Sequence, residues 1–331
     1  MELIDSKGQP HYGEFGQPIT HINYRDFDLR SVMDRPRPKW LRHWAFNQFQ
    51  FISVQGPDWL MGLAVVDLKL VSNAFIYIHD FGAGETHEKS WLNPLATNTH
   101  IDPFPEKGRC RFKRGETEIL IEGEDDRRRV SVLDEDIRLD LQLSGDNQPL
   151  RLCSRAGYGG WVFTRKSAGL TVKGGLRWAG ATYTIDRSLC GTVDWSCGFM
   201  RRETAWNWAC IAGVTGDGQT VGLNLAAGVN ETGVTENTLW IDGERIKLDL
   251  ARFDFDRYNP ESPWQVKTSD GHVDLEFQPE GGRRERINML VLASNFRQFA
   301  GTFNGTVKDS GGKVIRIENM RGLMEDHFAR W

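Results

Sequence analysis

Ile137, Leu139, Leu141 and Leu143 fall on one side of a short segment, and Arg138, Asp140 and Gln142 fall on the other. A period of two belongs to a half-buried β-strand, and this segment is one of a long succession. Similar short strands read from residues 43–54, 59–67, 74–80, 109–113, 117–122, 128–133, 161–166, 170–178 and 181–189. The pattern resumes after residue 200 and runs through 296–307. Turn signals separate the strands: Gln55-Gly-Pro-Asp, Ala179-Gly and Asp242-Gly243. Many short strands with turns between them fold as barrels or sandwiches, so the expected class is all-β. Twelve tryptophans and thirty-five glycines suit that class, as broad strand side chains and as turn or bulge residues.

A length of 331 residues allows one large or two ordinary domains. The formal net charge of −4 implies no global basic surface, so nucleic acid is not an expected partner. No run of about 18 apolar residues occurs, so no membrane-spanning helix is expected. The N-terminal residues lack the apolar core of a signal peptide, which points to the cytoplasm. Five cysteines without a C-x-x-C pair read as reduced structural thiols. Scattered Cys and His argue against zinc. A P-loop, a dinucleotide fingerprint and a G-x-S-x-G motif are all missing, so no cofactor is expected.

Residues 1–40 are polar and rich in Gly and Pro, and read as an extended arm over the body. Residues 85–107 read as a loop, and 124–129 as a charged hairpin tip. Phe51-Ile-Ser-Val, a turn and Gly62-Leu-Ala-Val are echoed at the same spacing by Ile211-Ala-Gly-Val, a turn and Gly222-Leu-Asn-Leu. The echo suggests two related units meeting near residue 190, as domains 1–189 and 190–331. The tail differs. Met320, Leu323, Met324, Phe328 and Trp331 recur at helical spacing, which predicts a closing C-terminal helix over 318–331.

Between residues 191 and 231 strongly polar groups and three tryptophans alternate along expected strands. Pro38-Lys-Trp-Leu-Arg-His-Trp44, Arg202-Glu-Thr-Ala-Trp-Asn-Trp208, Gly222-Leu-Asn-Leu225, Glu236-Asn237, Trp240-Ile-Asp-Gly243 and Arg321-Gly-Leu-Met-Glu-Asp-His-Phe-Ala-Arg-Trp331 together resemble the bacterial family called domain of unknown function 2804. Gly191-Thr-Val-Asp-Trp-Ser-Cys-Gly198 is similar to a Gly-aromatic-Asp-aromatic-Gly segment of the wider AttH and carotenoid hydratase (hydroxyneurosporene synthase) group, with Val193 before the Asp. That resemblance implies two lipocalin-like (calycin-like) antiparallel β-barrels packed together. The group includes acid-catalysed hydratases and cyclases of isoprenoids, cofactor-free pericyclases, and members without known activity.

Alkene hydration or cyclisation needs a proton donor in a dry pocket and aromatic faces for a carbocation. Asp194 and Glu203 are the candidate general acids. Trp195, Arg202, Trp206, Asn207, Trp208, Asn224, Asn230 and Glu231 are candidate ligand-binding residues. Each also has a structural reading. Arg202 and Glu203 can form an ion pair, Trp206 and Trp208 can fill the gap between barrels, and Asn207 and Asn224 can satisfy backbone groups. Gly228 to Glu231 can be a turn alone. His43, His79 and His100 can titrate near neutrality, but nothing places one beside a nucleophile. Barrels of this size hold ligands in their mouths. The expected function is binding of an apolar or amphipathic molecule such as a lipid or isoprenoid. The alternatives are a cofactor-independent hydratase, cyclase or isomerase, and a filled scaffold for a protein partner.

Overall fold

The computed structural model describes residues 1–146, 148–229, 233–288 and 292–330. It is 63% strand and 2% helix. The only helices among the described residues are a 3-10 turn at Tyr24–Asp26 and α1 (Leu41–Trp44). The first sheet contains β1 (Gly13–Glu14), β2 (Asn47–Gln55), β3 (Trp59–Asp67), β4 (Val71–Asp80), β5 (Glu85–Pro94), β6 (Thr99–Ile101), β7 (Arg109–Arg114), β8 (Thr117–Glu124), β9 (Arg127–Leu133), β10 (Ile137–Ser144), β11 (Leu150–Ala156), β12 (Gly160–Trp178), β13 (Ala181–Tyr183) and β14 (Cys190–Phe199). The second contains β15 (Glu203–Val214), β16 (Thr220–Ala227), β17 (Thr238–Ile241), β18 (Glu244–Lys247), β19 (Ala251–Asp254), β20 (Trp264–Thr268), β21 (Val273–Asn288), β22 (Ala293–Lys308) and β23 (Val314–Arg330). Both sheets are barrel-like, one nearly closed and the other a half-barrel.

The main path of the first sheet runs β5-β4-β3-β2-β14-β12-β10-β9-β8-β7-β6. Its two ends meet through side chains: Ser72 Oγ lies 2.6 Å from Thr99 Oγ1, and Asn93 Nδ2 donates to the Lys113 carbonyl at 3.1 Å. The second sheet runs β18-β17-β16-β15-β23-β22-β21-β20-β19.

Alternation decides what each strand offers. The leucines of β10 enter the first core. On β14, Val193, Trp195, Cys197 and Phe199 enter that core, so Thr192, Asp194 and Ser196 face the other way. On β15, Ala209 and Ile211 enter the second core. Trp208 and Cys210 join Phe51, Leu60, Tyr77 and Leu323 in a third cluster between the sheets. The two sheets therefore pack face to face through β2, β3, β4, β12 and β14 on one side and β15, β16, β22 and β23 on the other. Glycines permit the approach. A Cβ on Gly222 would sit 2.4 Å from the Ala168 backbone, and one on Gly281 would sit 2.3 Å from the His79 ring.

The echoed segments form one hairpin in each sheet, β2–β3 and β15–β16. Their registers differ by one residue: Ser53 pairs with Gly62, whereas Ala212, not Gly213, pairs with Gly222. A one-residue slip exchanges the faces of a strand. Phe51 accordingly faces the junction and Ile211 the second core.

Two expectations need correction. The tail is not a helix: it is β23, central in the second sheet between β15 and β22. Both of its faces are buried. Met320 and Met324 enter the second core while Leu323 enters the junction. A strand buried on both sides loses alternation, and its apolar residues can fall at helical intervals by composition alone. Residues 85–107 are not a plain loop either, because β5 and β6 lie within them. β5 is an exposed edge strand, so its polar residues gave no buried face to read. The N-terminal arm does lie on the body, with Leu3, Ile4, Ile19, Ile22 and Phe27 in the first core.

Candidate functional site

The predicted residues do not gather in one place. Asp194 lies in the junction. Its Oδ2 is 2.8 Å from Lys166 Nζ, and the same ammonium lies 2.6 Å from Glu236 Oε1. Ser196 Oγ donates to Asp194 Oδ1 at 2.9 Å. One buried cation thus faces two buried carboxylates. Burial raises the Asp194 pKa, Lys166 opposes the rise, and Glu236 reinforces it. The Lys166 ammonium is held above its ordinary value, because attraction to both carboxylates exceeds its own desolvation. Asn224 and Trp208 belong to the same seam: Trp208 Nε1 donates to Asn224 Oδ1 at 2.8 Å, and Asn224 Nδ2 donates to the Glu236 carbonyl at 2.9 Å. The structure brings Asp194, Trp208 and Asn224 together with Lys166 and Glu236.

Trp195 points away from this seam into the first core, 6.0 Å from the Phe163 ring. Arg202 and Glu203 are exposed, and the Glu203 carboxylate is 3.8 Å from Arg330. Asn230 and Glu231 lie outside the described residues.

The rim of the junction holds Trp206. Trp206 Nε1 donates to Glu325 Oε1 at 2.7 Å, and Gln298 Nε2 donates to Glu325 Oε2 at 3.0 Å. Tyr77 of the first sheet donates its hydroxyl to Gln298 Oε1 at 2.5 Å. Burial raises that phenol well above its ordinary value, so it remains a donor. Asn207, on the opposite face of β15, donates to Asp326 Oδ1 at 3.2 Å. Asp326 also takes a bidentate pair from Arg257, at 2.9 and 3.1 Å.

A cavity of about 550 Å³ opens where the arm, α1, the β3–β4 turn and the β5–β6 loop meet at one end of the first sheet. None of the predicted site residues lines it; of the histidines noted in the sequence, His43 and His100 do. Its floor is polar and buried. Lys69 Nζ is 2.6 Å from Asp67 Oδ2 and 3.4 Å from Gln48 Oε1. Trp44, Leu95 and Ile101 supply apolar wall, and Tyr24, stacked on Phe46 at 3.9 Å, supplies an aromatic one. Partial burial and the nearby cations Lys69 and Arg25 lower the pKa of His43. The rim stores strain: Leu95 and Ala96 have φ of 54° and 49°, a left-handed conformation that side chains without a polar group disfavour.

Sequence reasoning missed Lys166, Glu236, Glu325 and the whole cavity. Glu236 and Glu325 stand in motifs quoted for the family. Lys166 carried no signal, since only the pairing of β12 with β14 sets it opposite Asp194.

The family model for the domain of unknown function DUF2804 matches residues 1–331. The chain belongs to that family. No curated protein matches its sequence. Among solved structures it resembles CghA in a structure with Sch210972, at 10% identity and TM-score 0.56, over 98% of this chain and 96% of that one. An AttH-type protein from Nitrosomonas europaea gives 14% identity and TM-score 0.52, over 85% and 91%. Kievitone hydratase from Nectria haematococca gives 12% and 0.51, over 85% and 88%. At these identities the likeness is one of fold.

Proposed function

We propose that this DUF2804 protein binds an amphipathic small molecule in the cavity at the end of the first sheet. The single observation that carries the reading is the cavity. Its volume of about 550 Å³ lies within the range of about 300–1,000 Å³ usual for ligand sites. Its lining is of two kinds, with Trp44, Leu95 and Ile101 for an apolar body, and Gln48, Lys69 and the rim histidines for a hydrogen-bonding end. The fold it shares with CghA, seen with a small molecule, and with a hydratase supports the same reading. Asp194 does not enter it, because that carboxyl is engaged by Lys166 within the junction.

Native mass spectrometry of the purified protein, followed by organic extraction, tests the proposal. A retained small molecule is expected. Trp44→Ala should weaken its rebinding by about tenfold, the effect of losing about 1.4 kcal/mol of contact. No retained mass, together with no thermal shift from a panel of fatty acids and isoprenoid alcohols, would overturn it.

A further inference from the structure

On the face of the second sheet that meets the first, at the rim of the junction, β22 and β23 bring three side chains into line. Ser294 Oγ lies 3.1 Å from His327 Nε2. His327 Nδ1 faces Glu325 Oε1 at 3.6 Å. We propose that these residues form an esterase site, with Ser294 as nucleophile, His327 as general base and Glu325 as the positioning carboxylate. The proposal concerns a site separate from the cavity and does not depend on it.

A nucleophile and its base must stand within hydrogen-bond reach, and the base must be oriented by a third group, with looser distances tolerated before substrate binds. Ser294 and His327 meet the first condition. For the second, Glu325 is held by Trp206 on one oxygen and by Gln298 on the other, with Oε1 3.6 Å from His327 Nδ1, a gap that must tighten to a hydrogen bond when substrate binds. Each oxygen has a lone pair left, so Oε1 can still accept the Nδ1 proton. His327 Nδ1 is buried and has no hydrogen bond within reach, which leaves it a donor in need of that carboxylate. The imidazole is also flanked by aromatic rings, Trp206 at 4.2 Å and Phe296 at 4.8 Å between centroids. Ser294 is half-buried and so within reach of a small substrate.

The chemistry balances without a cofactor. Ser294 Oγ attacks the ester carbonyl carbon while its proton passes to His327 Nε2. The ester C–O bond breaks, and the leaving alcohol takes that proton. Water then attacks the acyl-serine, giving its proton to Nε2. The acyl–Oγ bond breaks and Oγ recovers the proton. The net reaction is ester plus water to carboxylic acid plus alcohol. The apolar ring of Phe296 beside the imidazole suits short esters with an aryl or alkyl group.

Treatment with a fluorophosphonate probe, and hydrolysis of p-nitrophenyl butyrate, test the assignment. The probe is expected to react, and peptide mapping should place the adduct on Ser294. Ser294→Ala should remove labelling and lower turnover by on the order of 10²-fold or more. Glu325→Gln should keep the labelled residue but shift the acid limb of the pH–rate profile, which a merely structural role would not move. An unlabelled wild type, or an adduct on another residue, would overturn the proposal. Mapping on the wild type decides even if a variant fails to fold.

Discussion

Trp208 and Trp206 stand two residues apart on the same face of β15, and each gives its indole proton to a polar side chain. Trp208 is buried and donates to Asn224, whose own amide donates onward to the Glu236 carbonyl. Trp206 is half-buried and donates to Glu325, beside His327 and at the edge of solvent. The first arrangement is closed: its groups use one another and hold the two sheets together. The second differs in its neighbours: Glu325 also faces the His327 imidazole, which in turn meets the half-buried Ser294 hydroxyl. A tryptophan in a polar stretch is therefore structural or functional according to where the facing sheet ends. The interior of the junction can be broken by removing charge, and the rim can be altered with less harm.

The largest effect is expected from Lys166→Met. It leaves Asp194 and Glu236 buried without their cation, and breaking a buried pair costs about 3–5 kcal/mol. Urea denaturation should show it. The sign with pH follows from Asp194, whose carboxyl titrates higher folded than unfolded, chiefly through burial. Its contribution is complete below the ordinary carboxylate value and is lost as pH rises through the folded value. Lys166 opposes that rise, so its removal widens the window. The deficit of Lys166→Met against wild type should grow from pH 5 to pH 8. An equal deficit at both would contradict the buried triad.

The comparison of the two indoles is sharpened by replacing each with Phe. Trp208→Phe leaves the Asn224 carbonyl oxygen buried without its donor, a loss of about 1–3 kcal/mol. Trp206→Phe removes one donor from the buried Glu325 carboxylate but leaves Gln298 on its other oxygen, so a loss at the lower end of that range, about 1 kcal/mol, is expected. Matched denaturation midpoints for the two variants would show that the rim is as closed as the interior.

What could be read from the sequence follows the same division. Alternation in β10 and in β14 was visible because one face is apolar and the other is not. It failed for β23, where Met324 and Leu323 are buried on opposite faces and no polar side remains to mark the period. The residue types in the 191–231 stretch were recognisable, and Asp194, Trp208 and Asn224 do lie together. Their partner Lys166 could not be found, since its place depends on the β12–β14 register, with a bulge between Ala168 and Leu170. The cavity was invisible for a similar reason: its lining comes from four separate segments, and although one of them, His43-Trp44, ends a stretch quoted for the family, nothing in the sequence brings the four together.

The smallest effect is expected at Glu203, the carboxylate that the sequence offered with Asp194 as a candidate general acid. Its side chain is 59% exposed and its contact with Arg330 is 3.8 Å long. Exposed pairs of that kind contribute about 0–1 kcal/mol, and at this length and exposure the lower end applies. Glu203→Gln should therefore leave the denaturation midpoint, the retained ligand and the esterase rate of wild type unchanged. The variant also separates the two ends of β15, because it lies on the same strand as Trp206 and Trp208 but past the rim. A loss of more than about 1 kcal/mol, or a fall in either activity, would mean that the rim reaches further along β15 than Trp206.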